Sequence, residues 1–159
     1  MATYDLTLGS TKKNSAADTI AALPDVRRQA YMVEAILDIS KIANYTCANG
    51  DIFQLLEIPA GTFVVAAGAQ VLTAFTGTTP TVDIDFAEGD DIVDGASVTS
   101  TGYLAAGTNG GANNTAQTTF TQLVTTTDTI DVKLICSAAN VTSGVLRVYA
   151  VLVDLNSVA

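Results

Sequence analysis

The residues with the clearest chemical potential are carboxylates in the middle of the chain: Asp83, Asp85, Glu88, Asp90, Asp91 and Asp94. Carboxylate oxygens are the ligands that Ca²⁺ prefers. The spacing departs from the EF-hand loop, because the third ligand position would fall on Ala87 and the closing glutamate is missing. The stretch is open to two interpretations, a structural calcium site or a solvated acidic edge that discourages pairing between sheets, and the spacing favours the second.

Paired carboxylates also raise the question of glycoside hydrolysis, which needs two carboxyl groups about 5–10 Å apart across a cleft. Asp83 and Asp85 are close enough, but the chain has no tryptophan and few aromatic residues to stack on a sugar ring. Histidine is also absent, so no Ser-His-Asp or Cys-His catalytic arrangement can form within the chain. We therefore expect no enzyme activity, no catalytic, cofactor-binding or metal-binding residues, and no cofactor.

The charge is divided unevenly along the 159 residues, whose formal net charge is -9. Residues 1–41 hold five bases and five acids, so the whole excess of acid lies in residues 42–159. This acidity would repel phosphate backbones and argues against a nucleic-acid partner. No apolar run approaches the ~18 residues of a membrane span, and the start lacks the basic and apolar regions of a signal peptide. We expect no membrane partner and synthesis in the cytoplasm.

The elements that must position these residues are strands. From residue 31 onward the chain alternates apolar and polar residues with a period of two, and about eight short segments of this kind are separated by turn residues. This pattern predicts an all-β fold, a β-sandwich or barrel, over residues 29–159. Residues 145–155 are apolar on both faces, which predicts a central strand with one face on the core and the other on a partner.

Three further expectations concern details that depend on how the strands pair. We place two separate strands at residues 62–67 and 70–75. Residues 96–117, which are rich in Gly, Ala, Asn and Thr, are interpreted as a long surface loop, with room for a short strand around residues 97–100. Cys47 and Cys136 are far apart in the chain, and we expect two buried, reduced thiols. A disulfide between them would require the fold to bring them together.

Residues 1–28 differ from the rest because they show no sustained period, and we interpret them as an extended or loosely structured N-terminal arm. Apolar residues are embedded in this segment, at Tyr4, Leu6, Leu8, Ile20, Leu23 and Val26. Purely disordered tails are usually poorer in such residues, which favours an arm that lies on a neighbouring subunit over a tail without a role. Arg27 and Arg28 at the junction are either an anchor for an acidic partner or a solvated hinge.

Residues 129–155 resemble the final hairpin of small structural proteins of tailed bacteriophages, including phages of cyanobacteria and marine bacteria. Similar patterns occur upstream, at residues 33–39, 50–54, 82–86 and 101–103. The resemblance covers roughly residues 30–156 and rests on patterns of strands and turns. It does not extend to the arm.

Such proteins look like capsid decoration proteins, also called cement proteins. The resemblance implies a β-sandwich of jelly-roll type, a homotrimer, and a place on the outer surface of the virion, where the chain would bind the major capsid protein and cross-link neighbouring subunits. Two alternatives stay open: a fibre or tail-associated structural protein, and a carbohydrate-binding module, which should show exposed aromatic residues or a Ca²⁺ site.

Overall fold

The computed structural model describes residues 29–42, 49–86, 92–105, 108–109, 121–136 and 141–155. These residues form a β-sandwich of two sheets, as the alternating pattern predicts. The arm assigned to residues 1–28 lies outside the described residues. None of the helices in the described part of the chain has the length and hydropathy needed to cross a membrane.

Ten strands occur in the described residues, two more than the sequence pattern indicates. They are β1 (Tyr31–Asp38), β2 (Asp51–Ile58), β3 (Thr62–Thr73), β4 (Thr81–Phe86), β5 (Val93–Ser97), β6 (Gly102–Ala105), β7 (Thr108–Asn109), β8 (Gln122–Val124), β9 (Asp128–Ile135) and β10 (Val145–Asp154). A short 3-10 turn, Ile39–Lys41, follows β1. Asp38 caps this turn by accepting a hydrogen bond from the Ser40 amide.

The strands divide into two layers that we call sheet A and sheet B. Sheet A has the order β1-β10-β3-β6, and β8 also pairs with β3, whereas sheet B has the order β2-β9-β4-β5-β7. All pairs are antiparallel except the short pair of β5 with β7. β10 therefore lies between β1 and β3, which confirms the prediction of a central final strand.

The core lies between the sheets and is almost entirely aliphatic. The inward row of β10 comprises Leu146, Val148, Ala150 and Leu152, all at most 1% exposed. The inward row of β9 comprises Ile130, Val132 and Leu134, all fully buried. Burying one leucine, isoleucine or valine side chain contributes roughly 1.5–3 kcal/mol, so the six such side chains in the two rows contribute about 9–18 kcal/mol to the driving force for folding.

Strand β3 corrects the prediction of two strands in this region, because it runs unbroken through Gly68 for 12 residues. Its length is accommodated by two register shifts against β10, one between Val145 and Leu146 and one between Val151 and Leu152. A β-bulge of this kind adds one residue to one strand and bends it locally. The loop predicted at residues 96–117 is also wrong in part, since β6 and β7 lie within it.

The expectation of reduced thiols is wrong for Cys136, which is disulfide-bonded. Cys47, the chain's other cysteine, lies outside the described residues. The register of β2 with β9 explains how such a bond is reached, because it places Asp51 opposite Leu134. The chain entering β2 thus runs beside the chain leaving β9, and the Cys136 amide donates to Asn49 Oδ1 at 3.2 Å.

Candidate interaction surface

The outward side of sheet A, which we call the apolar face, carries most of the exposed large apolar side chains. Of the ten such residues in the described part of the chain, six belong to this face: Met32, Ile36, Val65, Leu72, Tyr103 and Leu123. Strand alternation explains their direction, since β10 buries Leu146, Val148, Ala150 and Leu152 and turns the residues between them outward. The two-sided character predicted for β10 is therefore part of a surface that spans the whole sheet.

The two bulges of β3 enlarge the apolar face. Val64 pairs with Leu152 and Ala66 with Val151, so Val65 is the extra residue of the first bulge. Leu72 is the extra residue of the second bulge. Both side chains are exposed, at about 40%. The irregularities of β3 thus add apolar surface on the outside without removing side chains from the core.

The middle of the apolar face is a shallow pocket of about 150 Å³, lined by Met32, Glu34, Tyr103, Arg147 and Tyr149. Met32 and Tyr103 are 61% and 70% exposed. They belong to β1 and β6, the outer strands of the order β1-β10-β3-β6, and they therefore form the two rims. The pocket thus extends across the width of the sheet.

Gly68 is required at this place because the Tyr149 side chain lies across it. A Cβ atom on residue 68 would be 2.7 Å from the Tyr149 hydroxyl oxygen and 2.9 Å from the Leu104 carbonyl oxygen. Both distances are shorter than van der Waals contact allows. The glycine that suggested a break between two strands is instead a point within β3 where Tyr149 of β10 and the backbone of β6 leave no room for a side chain.

Replacing Gly68 by alanine is expected to lower the free energy of unfolding by about 1–3 kcal/mol, because the new methyl group overlaps Tyr149 and the backbone of β6. Urea denaturation of the variant and the wild type measures this change. In a Tyr149→Ala background the same substitution should cost less, since only the Leu104 contact remains. An equal cost in both backgrounds would contradict the assigned role of Tyr149.

A polar network crosses the centre of the apolar face and joins three neighbouring strands. Arg147 Nη1 lies 3.5 Å from Glu34 Oε2, and Arg147 Nη2 donates to Gln70 Oε1. At the end of β1, Asp38 is ion-paired with Lys41 at 3.3 Å. The hydrogen bond from the Ser40 hydroxyl, together with Lys41, holds the pKa of Asp38 below its ordinary value. The charged groups that lie on this face are thus paired with opposite charges.

The outward side of sheet B has the opposite character. Asp83, Asp85 and Asp131 are buried, with 4%, 2% and 5% exposure. Asp83 accepts a hydrogen bond from the Gly95 amide at 2.8 Å and lies 3.5 Å from Lys133 Nζ. Asp131 accepts one from the Thr129 hydroxyl at 2.6 Å and stands opposite Asp85 in the register.

These positions correct the interpretation of Asp83 and Asp85 as part of a solvated acidic edge. Strand β4 is the third of five strands in sheet B, between β9 and β5, and both aspartates are nearly inaccessible to solvent. Glu88, Asp90 and Asp91 lie outside the described residues. Within the described ranges, no group of three or more His, Cys, Asp or Glu side chains is arranged to hold a metal ion.

The geometry defines a β-sandwich with an apolar face on the outward side of sheet A and buried aspartates on the outward side of sheet B. No protein-family model and no curated protein sequence matches the chain. Among solved structures, it is similar to a chain in the capsid of Ralstonia phage GP4, with a TM-score of 0.57 and 17% identity over 86% of this chain and 91% of that chain. This similarity shows a shared fold.

A second similar chain belongs to the acid-stable capsid of Helicobacter pylori bacteriophage KHP30. Its TM-score is 0.42 and its identity 16%, over 80% of this chain and 94% of that chain. Of these two chains, the one from the Ralstonia phage exceeds a TM-score of 0.5, so it is the one that bears on the fold.

Proposed function

We propose that the chain is a structural protein of a phage virion that binds the outside of the capsid and stabilises it by cross-linking neighbouring capsid subunits. The observation that carries this proposal is the apolar face, on which Met32, Ile36, Tyr103 and other large apolar side chains are exposed together. Contiguous exposed apolar patches of this kind mark interaction surfaces. The fold similarity to a chain of a phage capsid supports a capsid as the assembly.

In this proposal the protein acts through non-covalent contact area and catalyses no reaction. Stable interfaces bury about 800 Å² per partner. The sandwich, of jelly-roll type, supplies one such surface in a homotrimer, and the arm of residues 1–28 supplies another by lying on a neighbouring capsid subunit. The arm carries Lys12, Lys13, Arg27 and Arg28, which are complementary to carboxylates on a partner.

The test is the amount of this protein in purified virions of the phage that encodes it. Quantitative mass spectrometry should find hundreds of copies per particle, and purified chain added to particles stripped of it should raise the temperature at which they break open. About a dozen copies would favour a tail or fibre protein instead. Absence from the particle together with binding on a glycan array would favour a carbohydrate-binding module.

Deleting residues 1–28 tests the arm separately. The truncated chain is expected to keep the circular dichroism spectrum and the oligomeric state of the full chain, because the sandwich begins at residue 31. It should not be retained on capsids in co-sedimentation, whereas the full chain is. Full occupancy of capsids by the truncated chain would refute the role of the arm.

A further inference from the structure

We propose that the apolar face is the contact between copies of this chain, so that a second copy is its first partner. This contact rests on the proposed function, which requires the chain to assemble. The outward side of sheet A would bind a second copy, and the capsid would be bound by other parts of the molecule. Charge, area and shape support this contact.

The charge balance of the two outer faces favours self-association through sheet A. Copies that meet through the same face bring together any net charge that the face carries, so a self-contact requires balance. On the apolar face Glu34 is paired with Arg147, and Asp38 at its end with Lys41. On the outward side of sheet B, carboxylates outnumber cations among the described residues: the buried Asp83, Asp85 and Asp131 and the exposed Glu57 stand against Lys133.

The whole chain also carries a formal net charge of -9, so two copies repel each other over most of their surfaces. A balanced, apolar patch is the part of such a molecule where that repulsion is smallest. A partner with a basic surface would instead be attracted to the acidic sides of the sandwich. The apolar face therefore fits best a partner surface that is apolar and has no net charge. The apolar face of a second copy is such a surface.

The area of the apolar face is close to what a stable contact requires. Neighbouring strands lie ~4.8 Å apart and each residue extends a strand by ~3.3 Å, so the five strands of sheet A, with 8, 10, 12, 4 and 3 residues, cover on the order of 600 Å². Stable interfaces bury about 800 Å² per partner.

The shape of the apolar face is also complementary to a second copy of the chain. The central pocket of about 150 Å³ is rimmed by Met32 and Tyr103. A cavity of about 150 Å³ accommodates a benzene ring, so a methionine or tyrosine side chain has the size to enter. The face presents both types of side chain at its rims. Tyrosine and arginine are also the residues that most often dominate the energy of protein contacts, and Tyr149 and Arg147 line the pocket.

The experiment measures the mass of the full chain in solution by sedimentation equilibrium, with two matched variants. Ile36 and Ile52 are both exposed isoleucines, at 57% and 39%, on β1 in sheet A and β2 in sheet B. The wild type is expected to be oligomeric at micromolar concentration. Ile36→Glu should raise the dissociation constant about 100-fold or more, because it places like charges against each other in the contact. Ile52→Glu should leave it unchanged.

Both variants are expected to fold, because Ile36 faces Arg147 and Ile52 faces Lys133 across neighbouring strands, so each new carboxylate has a cation beside it. If Ile36→Glu fails to fold, Met32→Ala replaces it, with an expected weakening of about 10-fold. A wild type that stays monomeric at 100 µM, or an oligomer that only Ile52→Glu dissociates, would overturn the inference.

Capsid binding, measured separately, keeps this inference distinguishable from the proposed function. A stable oligomer that is absent from virions refutes the proposed function and leaves the contact between copies intact. A monomer that is retained on capsids supports the proposed function and overturns the contact. Loss of capsid binding by Ile36→Glu together with its loss of self-association supports the inference, because assembly then precedes binding.

Discussion

Replacing Gly144 by alanine is expected to lower the free energy of unfolding by about 3 kcal/mol, through a clash with a core ring and an unfavourable backbone conformation. A Cβ atom on residue 144 would overlap the ring of Phe75, which is buried. Gly144 also has a φ angle of +149°, a region that residues with a Cβ rarely adopt. The backbone at Gly144 cannot move easily, because its carbonyl accepts a hydrogen bond from the Ile39 amide at 3.1 Å.

Gly50→Ala is the matched control, since Gly50 also has a positive φ of +89°, but a Cβ atom added there would meet nothing within 4 Å. It should cost about 1 kcal/mol from the backbone alone. Urea denaturation of both variants separates the two contributions. Phe75→Leu should reduce the extra cost of Gly144→Ala, because the smaller side chain makes room for the methyl group. Equal costs at both glycines would contradict the assigned contact.

The second large effect is expected from Cys136→Ser, which should lower the free energy of unfolding by about 4 kcal/mol and the melting temperature by about 10 °C. A disulfide limits the conformations of the unfolded chain, and the limit grows with the length of the segment that it closes. Since Cys47 is the only other cysteine, about 90 residues would lie between the bonded positions. Thermal unfolding followed by circular dichroism measures the change.

Reduction provides the control for this substitution. A thiol reductant should lower the melting temperature of the wild type to that of Cys136→Ser and leave the variant unaffected. A shift of the variant by the same amount would mean that the reductant acts elsewhere. A wild type that melts at one temperature with and without reductant would show that the bond does not contribute to stability.

The sandwich could be predicted from the sequence because its strongest determinant is local. The apolar residues on both faces of residues 145–155 are enough to predict a central strand. The sequence does not identify its neighbours, which the structure shows to be β1 and β3. The disulfide of Cys136 could not be predicted in this way. It depends on the register of β2 with β9, which joins segments about 80 residues apart.

The character of the two outer faces could be predicted only in part. Alternation correctly places Asp83 and Asp85 on one side of β4 and Val82, Ile84 and Phe86 on the other. It does not reveal whether the outward side of a strand is exposed, and both aspartates prove to be buried. The period of two in a strand indicates which side chains share a side of the sheet, whereas their burial depends on what lies above that side.

Most of the apolar face also could not be predicted from the sequence, which indicates only the outward row of β10. At each bulge of β3 two successive residues are exposed, Val65 with Ala66 and Leu72 with Thr73, and a bulge is defined by the partner strand rather than by the residue itself. A usable signal was present at residues 66–69, where three alanines and Gly68 lie within a strand pattern. Small residues in a strand often mark a place where another chain segment approaches closely.

The difference between the outward sides of the two sheets makes the sandwich asymmetric and would limit the number of copies that can assemble. If both sides of the sandwich were apolar, each added copy would expose a new adhesive surface, and the copies would stack without end. In the proposed contact, a copy that joins through sheet A would present sheet B outward, where carboxylates outnumber cations among the described residues. Under the proposed contact, assembly would stop at a closed cluster. Because each chain carries a net charge of -9, a particle covered by such clusters would repel its neighbours in suspension.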